Sequence, residues 1–289
     1  MENLRGIIFM LIAMAGFAIE DGLIKSLTKD IPVSEILILL GLGGTIIFAS
    51  LAVLKGEALH SSQMRCQPFI FRFIADTLSP LFFLPALALI PLATASSILQ
   101  TIPILVTMGA ALFLGQKVGW RRWSAILVGF LGVLLIIRPG MAEFQTASIL
   151  AILGAVSLAS RDLATRMMPV GLPTVIVTTY AFIASILAGI ILIPFFGPLI
   201  WPTFAQWVWL LVLTILGGLS YAAIVLATRA GDVAVIAPFR YSRLVFSLLI
   251  AVIFLGERPD WQTISGAIII MLAGLYTFWR EHVMLQSYK

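Results

Sequence analysis

Two long apolar runs of this chain each carry an acidic residue, Asp21 and Asp162, and the two share their surroundings. The stretch Ala18-Ile-Glu-Asp21, with Lys25 and Pro32 behind it, recurs 141 positions later as Ala159-Ser-Arg-Asp162, with Arg166 and Pro173. The same offset carries Phe113-Leu-Gly115, Trp120 and Ser124 onto Phe254-Leu-Gly256, Trp261 and Ser265, and Leu78-Ser79 onto Leu219-Ser220. Identity between the halves is low, so the correspondence rests on these rarer residues. A repeat of this kind in an apolar chain marks a duplicated membrane unit, the form in which many transporters are built.

Composition sets the solvent. Of 289 residues 61% are hydrophobic and 11% charged, outside the range of a soluble domain. A helix of about 20 apolar residues crosses roughly 30 Å of hydrocarbon, so the unit to count is the helix. The apolar runs predict ten, at 6–27, 33–54, 68–90, 92–114, 122–138, 147–167, 172–195, 205–228, 233–255 and 259–279. Five fall in each half, giving units of 1–140 and 141–289. Five is odd, so the second unit enters the membrane upside down. The expected fold class is an all-α integral membrane protein, ten transmembrane helices as two inverted five-helix repeats. Arg5 to Ile19 also has signal-peptide character, but its match to the sixth segment favours a retained helix.

Basic residues fix the expected orientation. Arg5, Lys55, Arg65, Lys117, Arg121, Arg122, Arg166, Arg229, Arg280 and Lys289 fall on the side of the termini, ten against the four of Lys25, Lys29, Arg138 and Arg258. Both ends are therefore expected in the cytoplasm, with Trp120 and Trp261 as interfacial anchors. The formal charge of +5 is dispersed at helix ends and forms no tract, which argues against nucleic acid as a partner. Cys66, His60 and His282 are the only cysteine and histidines, and they exclude a disulfide or a cysteine/histidine metal site. No cofactor is expected, and no ATP-binding loop is present. The lipid bilayer and a small-molecule solute are the expected partners, and homo-oligomerisation stays open.

Eight charges lie within the expected spans: Glu20, Asp21, Asp76 and Asp162 with Arg72, Arg161, Arg240 and Arg243. They sum to zero. A charge facing lipid at mid-bilayer costs at least about 2.5–3.5 kcal/mol, so these side chains are expected to face the bundle interior and pair. Arg72 and Asp76 are spaced to pair on one helix face, and Arg161 is adjacent to Asp162. Helical rise puts Asp76, Arg240 and Arg243 near the midplane, Glu20 and Asp21 in the outer half and Asp162 in the inner half. Arg240 and Arg243 follow Pro238, which removes an amide and disfavours helix before it. With Tyr241 they are expected to bind a planar or anionic solute, the alternative being pairing across the bundle with Glu20, Asp21 or Asp76. Asp76 and Asp21 are the candidates for proton coupling or for a cationic group. Arg72 and Tyr221 complete the expected binding set, and Glu20, Asp21, Arg161 and Asp162 are assigned to coupling or charge pairing. Gly217, Gly218 and Ser220 before Tyr221 suit helix packing or a cavity wall. Pro80, Pro85 and Pro103 are expected to kink the third and fourth helices.

Several motifs carry a family resemblance. Ala86-Leu-Ala-Leu-Ile-Pro-Leu-Ala93, Pro103, Phe113-Leu-Gly115, Trp120-Arg-Arg-Trp123 and Gly129-Phe-Leu-Gly132 with Arg138-Pro-Gly140 resemble the first half of the EamA-type drug/metabolite transporters. Ala237-Pro-Phe-Arg-Tyr241, Phe254-Leu-Gly-Glu257, Pro259 and Gly274 are similar to the second half. The resemblance implies ten helices, cytoplasmic termini and a central cavity lined by helices one, three, four, six, eight and nine. The Ala-Pro-Phe-Arg-Tyr pattern is similar to a bacterial branch that includes importers of riboflavin and S-adenosylmethionine, while other branches export amino acids and their derivatives. Gln116 stands where many members have glutamate, and Gly41-Leu-Gly-Gly44 replaces a common arginine. The resulting expectation is a secondary transporter in a bacterial inner membrane. An intramembrane enzyme would need a nucleophile with a base, and the spans hold neither histidine nor cysteine, so no catalytic residue is assigned. A membrane scaffold without transport is the other alternative.

Overall fold

The structure, a computed structural model, describes residues 2–60, 62–115, 119–141, 145–169, 172–229 and 236–287. Gln116, Lys117, Lys289 and the expected start of the ninth helix at 233–235 lie outside the described residues. Among those described there are only helices and turns. The first half holds α1 (Glu2–Leu27), α2 (Val33–Leu54), α3 (Gln67–Leu89), α4 (Leu92–Leu99), α5 (Ile102–Phe113) and α6 (Trp120–Ile137). The second holds α7 (Ala147–Met167), α8 (Thr174–Phe196), α9 (Phe204–Arg229), a 3-10 turn at Ala237–Tyr241, α10 (Ser242–Ile253) and α11 (Trp261–Ser287). Seven spans are long and apolar enough to cross a membrane, α4 with α5 counting as one; α6 and α11 carry shorter apolar stretches. The 3-10 turn with α10 makes the remaining segment, for ten in all.

Helix boundaries follow backbone chemistry. In hydrocarbon each amide and carbonyl must be satisfied within its own segment, which leaves helices as the way to bury these apolar runs. Pro32 and Pro173, equivalent under the 141-residue offset, stand immediately before α2 and α8. Two expectations are corrected, while Pro80 and Pro85 lie within α3, which stays one helix through both. The fourth segment is not one helix of 92–114; it breaks at Gln100–Thr101, where the Thr101 hydroxyl donates to the Ile98 carbonyl at 2.7 Å, and Pro103 sits in the first turn of α5. The ninth segment likewise passes from 3-10 turn to α-helix after Tyr241, the offset equivalent of Gln100. Both fourth helices of the duplication are thus jointed at the same place. Two ends also run past their expected limits, α1 starting at Glu2 and α11 reaching Ser287.

The packing is unchanged when the halves are exchanged. α1 packs on α9 as α7 packs on α3, and α1 meets α10 as α7 meets α4 and α5. α2 with α8 and α6 with α11 pair each helix with its own counterpart. This is the pattern of a pseudo-twofold axis between the halves. Ile36, Leu87, Ile90, Leu92, Ile98, Leu213 and Ile270 fill the seam and are fully buried. Lipid is as apolar as leucine, so close backbone approach has to hold the helices together. α6 and α11 provide it: a Cβ on Gly132 would lie 2.9 Å from the Gly266 carbonyl oxygen, and one on Gly266 would lie 2.7 Å from that of Gly132.

One end of the bundle is closed by charges at helix termini. The break between α3 and α4 leaves carbonyls at one terminus and amides at the other without partners. Lys25 of α1 donates its Nζ to the carbonyls of Leu87 at 2.9 Å and Ile90 at 2.7 Å. Glu257, beyond α10, accepts from the amides of Leu92 at 2.7 Å and Ala93 at 3.1 Å. The cation thus meets the negative end of one helix dipole and the anion the positive end of the other. Gly256, at φ 66°, makes the left-handed turn that aims Glu257, and Gly115 adopts φ 65° at the equivalent position. At the same end Arg138, terminating α6, forms an ion pair with Asp260, which also accepts from the Thr263 amide at 2.8 Å as the cap of α11. Burial pushes the Asp260 carboxyl up, but hydrogen bonds from Arg138 and Thr263 outweigh it and hold the group below the usual carboxylate range.

Two outcomes are expected. Gly266→Val should cost about 1–3 kcal/mol through overpacking, read as a lower unfolding midpoint in detergent, while Gly119→Ala, with nothing within 4 Å, should be close to neutral. Asp260 has a depressed folded-state pKa, so its contribution is complete above about pH 4 and fades as pH falls further. Asp260→Asn should therefore lower the midpoint at neutral pH, and the difference should shrink on acidification below that value.

Candidate functional site

The eight expected charges gather where the halves meet, on α1, α3, α7, the 3-10 turn and α10. On α3 the Arg72 Nε lies 3.2 Å from Asp76 Oδ2, one helical turn apart, and Arg72 also donates to the Thr165 hydroxyl of α7. Thr165 in turn donates to the Arg161 carbonyl at 2.7 Å. Arg161 grips its neighbour Asp162 through Nε at 3.0 Å and Nη2 at 2.8 Å, and its Nε stands 4.0 Å from Asp76 Oδ1. Arg240, from the 3-10 turn, approaches the other Asp162 oxygen at 3.9 Å. One continuous network thus links α3, α7 and the turn before α10.

A second pair ties α1 to α10. Arg243 donates Nη2 and Nε to Asp21 Oδ2 at 2.6 and 3.2 Å, and its guanidinium lies 5.4 Å from the Phe17 ring centroid. Arg243 therefore follows the cross-bundle pairing left open above. Tyr241 is buried, with its phenol end packed against Gly274 of α11, and it lies near enough to Arg240 to interact electrostatically. Tyr221 on α9 is half-buried, edge-on to Phe48 at 6.0 Å between ring centroids, and near enough to Arg161 to interact electrostatically. Glu20 faces α9, where its carboxylate lies over the bare backbone of Gly217. Arg240 is the most open charge of this network, its side chain 40% exposed against 30% for Arg161 and 22% for Asp162.

Sequence spacing found the Arg72–Asp76 and Arg161–Asp162 pairs, because both lie within one helix. It could not find Arg243–Asp21 or Arg161–Asp76, which depend on how helices cross. It also missed Lys25 and Glu257 as terminus ligands, although the break at Ile90-Pro91 signalled unsatisfied groups. Among the described residues, no group of three or more histidine, cysteine or acidic side chains is placed to hold a metal ion.

Ten membrane segments in two exchangeable halves, with a charged seam between them, define the class of a duplicated multi-pass membrane protein. The chain belongs to the EamA-like transporter family, whose sequence profile matches residues 4–138 and again 145–279. It is similar to the S-adenosylmethionine uptake transporter of Rickettsia bellii (strain RML369-C), 29% identical over 196 residues, 68% of this chain and 66% of that protein. It is also similar over most of its length to the pseudopaline exporter CntI of Pseudomonas aeruginosa (strain UCBPP-PA14), 26% identical and covering 93% of this chain and 94% of that one. A riboflavin transporter of Vibrio cholerae is 27% identical over 93% of this chain and 91% of its own. A solved crystal structure with a TM-score of 0.62 covers 96% of this chain and 97% of its own at 19% identity, and it shares the fold.

The Asp21–Arg243 pair yields a prediction about stability. Asp21→Leu leaves Arg243 without its counter-charge and should cost about 3–5 kcal/mol, whereas Asp21→Leu with Arg243→Leu should recover most of that loss. Unfolding midpoints of the two single variants and the double variant in detergent check the cycle.

Proposed function

We propose that this protein is a secondary transporter of a bacterial inner membrane, moving a small polar or amphipathic metabolite by alternating access. The division at 140/141 would separate the two rocking units, and both termini would face the cytoplasm, so that the Lys25–Glu257 end faces outward. The observation carrying this reading is the charged seam itself: ionisable groups inside a membrane bundle mark solute and ion pathways, and here they sit on both halves at the pseudo-twofold. Arg240, Arg72, Asp76, Tyr221 and Tyr241 form the binding set, with the partly open Arg240 as the contact for a carboxylate or phosphate and Arg243 held out of it by Asp21. Glu20, Asp21, Arg161 and Asp162 serve coupling or charge pairing. The relatives' names support a metabolite of the S-adenosylmethionine or riboflavin kind, and export is the alternative direction, as in the pseudopaline exporter. A transporter reading is preferred over an enzyme because the family is one of transporters.

Reconstitution in liposomes tests it. With a metabolite pool that includes S-adenosylmethionine, riboflavin and amino acids, selective accumulation over protein-free vesicles is expected. Arg240→Ala should weaken that uptake by about tenfold or more, the value of a charge-assisted hydrogen bond. If Asp76→Asn and Asp21→Asn both leave gradient-driven uptake intact, neither acid is the coupling group.

A further inference from the structure

Three of the four intramembrane acids are engaged by arginine: Asp21 by Arg243, Asp76 by Arg72 and Asp162 by Arg161. Glu20 is the exception, and among the described residues no lysine, arginine or histidine lies within 4.0 Å of its carboxylate. Arg243 acts on it only from farther away and is already held by Asp21. The remaining arginine, Arg240, has only a 3.9 Å approach to an Asp162 that Arg161 already grips. The network therefore leaves one carboxylate without an ion pair and one guanidinium that shares an acid already held by Arg161.

The duplication explains why Glu20 stands apart. The 141-residue offset relates Glu20 to Arg161 and Asp76 to Gly217. α7 packs on α3 as α1 packs on α9, so the contact between Arg161 and Asp76 at 4.0 Å has its counterpart in the contact between Glu20 and Gly217. In one half a charged side chain faces its counter-charge. In the other the carboxylate faces a residue with no side chain, and no counter-charge stands opposite it. Gly217 and Tyr221 lie one turn apart on the same face of α9, about 6 Å along its axis, and Tyr221 leads to Arg161 and thence to Asp162 and Arg240. One face of α9 therefore runs from Glu20 toward the cluster that holds Arg240.

We infer that Glu20 binds the cationic group of the transported solute, an ammonium or sulfonium centre, and that the solute is amphoteric, with its anionic group at Arg240. This rests on the transporter reading and names its substrate class. A plain anion would leave Glu20 with no ion-pair partner within 4.0 Å, and a plain cation would leave Arg240 with only its 3.9 Å approach to Asp162.

The test is the metabolite-pool experiment in liposomes with wild-type protein, Glu20→Gln and Glu20→Asp, each checked for folding by its unfolding midpoint, and with accumulated solutes identified by mass spectrometry. The wild type is expected to accumulate solutes bearing both a cationic and an anionic group. Glu20→Gln should lower their apparent affinity by about tenfold or more, and Glu20→Asp should restore part of it. Accumulation by the wild type of solutes without a cationic group overturns the inference and leaves the transporter reading standing. So does undiminished uptake of amphoteric solutes by Glu20→Gln. Loss of pH-gradient drive in Glu20→Gln with affinity unchanged also overturns it, making Glu20 a proton site instead. Absence of any accumulation by folded wild type, under either sign of pH gradient and with solute preloaded for exchange, overturns the transporter reading and this inference with it.

Discussion

A charge inside hydrocarbon needs a counter-charge close at hand, and that requirement organises this molecule. Four acids and four arginines sit within the bundle, and satisfying them dictates which helices meet and at what depth. The Asp21–Arg243 pair fixes α1 against α10, and the Arg72, Asp76, Arg161 and Asp162 network fixes α3 against α7. Apolar packing alone specifies little in lipid, where neighbouring chains offer the same dispersion contacts as a facing helix. Direction and register come instead from polar contacts and from places where backbones touch, such as Gly132 against Gly266.

The same accounting operates on the backbone. A bilayer supplies no water to helix ends, so a break within the bundle needs protein groups at both sides of it. Between α3 and α4 those groups are Lys25 and Glu257, contributed by opposite halves. Where the fourth segment divides at Gln100–Thr101 the demand is met locally, by the Gln100 amide on the Ser97 carbonyl and by the Thr101 amide and hydroxyl on the Ile98 carbonyl. The first joint therefore involves both repeats, while the second is internal to one.

Most of the architecture was legible in the sequence, because a membrane helix is long, apolar and bounded by charge or proline. The spans at 33–54 and 147–167 match the observed helices to the residue. Pro80 and Pro85 lie inside one continuous helix, since neighbouring groups inside a packed bundle can make up for a missing amide. The break in the fourth segment was signalled by Pro103, which stands in the first turn of α5, although Gln100 and Thr101 themselves are unremarkable in a helix. Local charge pairs were legible at spacings of one and four. Arg243 with Asp21, 222 positions apart, was not, because nothing in a one-dimensional pattern specifies helix azimuth. Glu20 was partly legible: applying the offset to it returns Arg161, a reversal of sign visible before any coordinates.

That reversal has a meaning at the level of symmetry. Two identical subunits meeting on a twofold axis must present the same residue from both sides, two glutamates or two arginines, and the field they create cannot distinguish one end of a guest molecule from the other. Joining the subunits into one chain frees the two copies of a position to differ. Glu20 and Arg161 have used that freedom, so the two sides of the axis differ in charge, a polarity across it that a true homodimer could never possess.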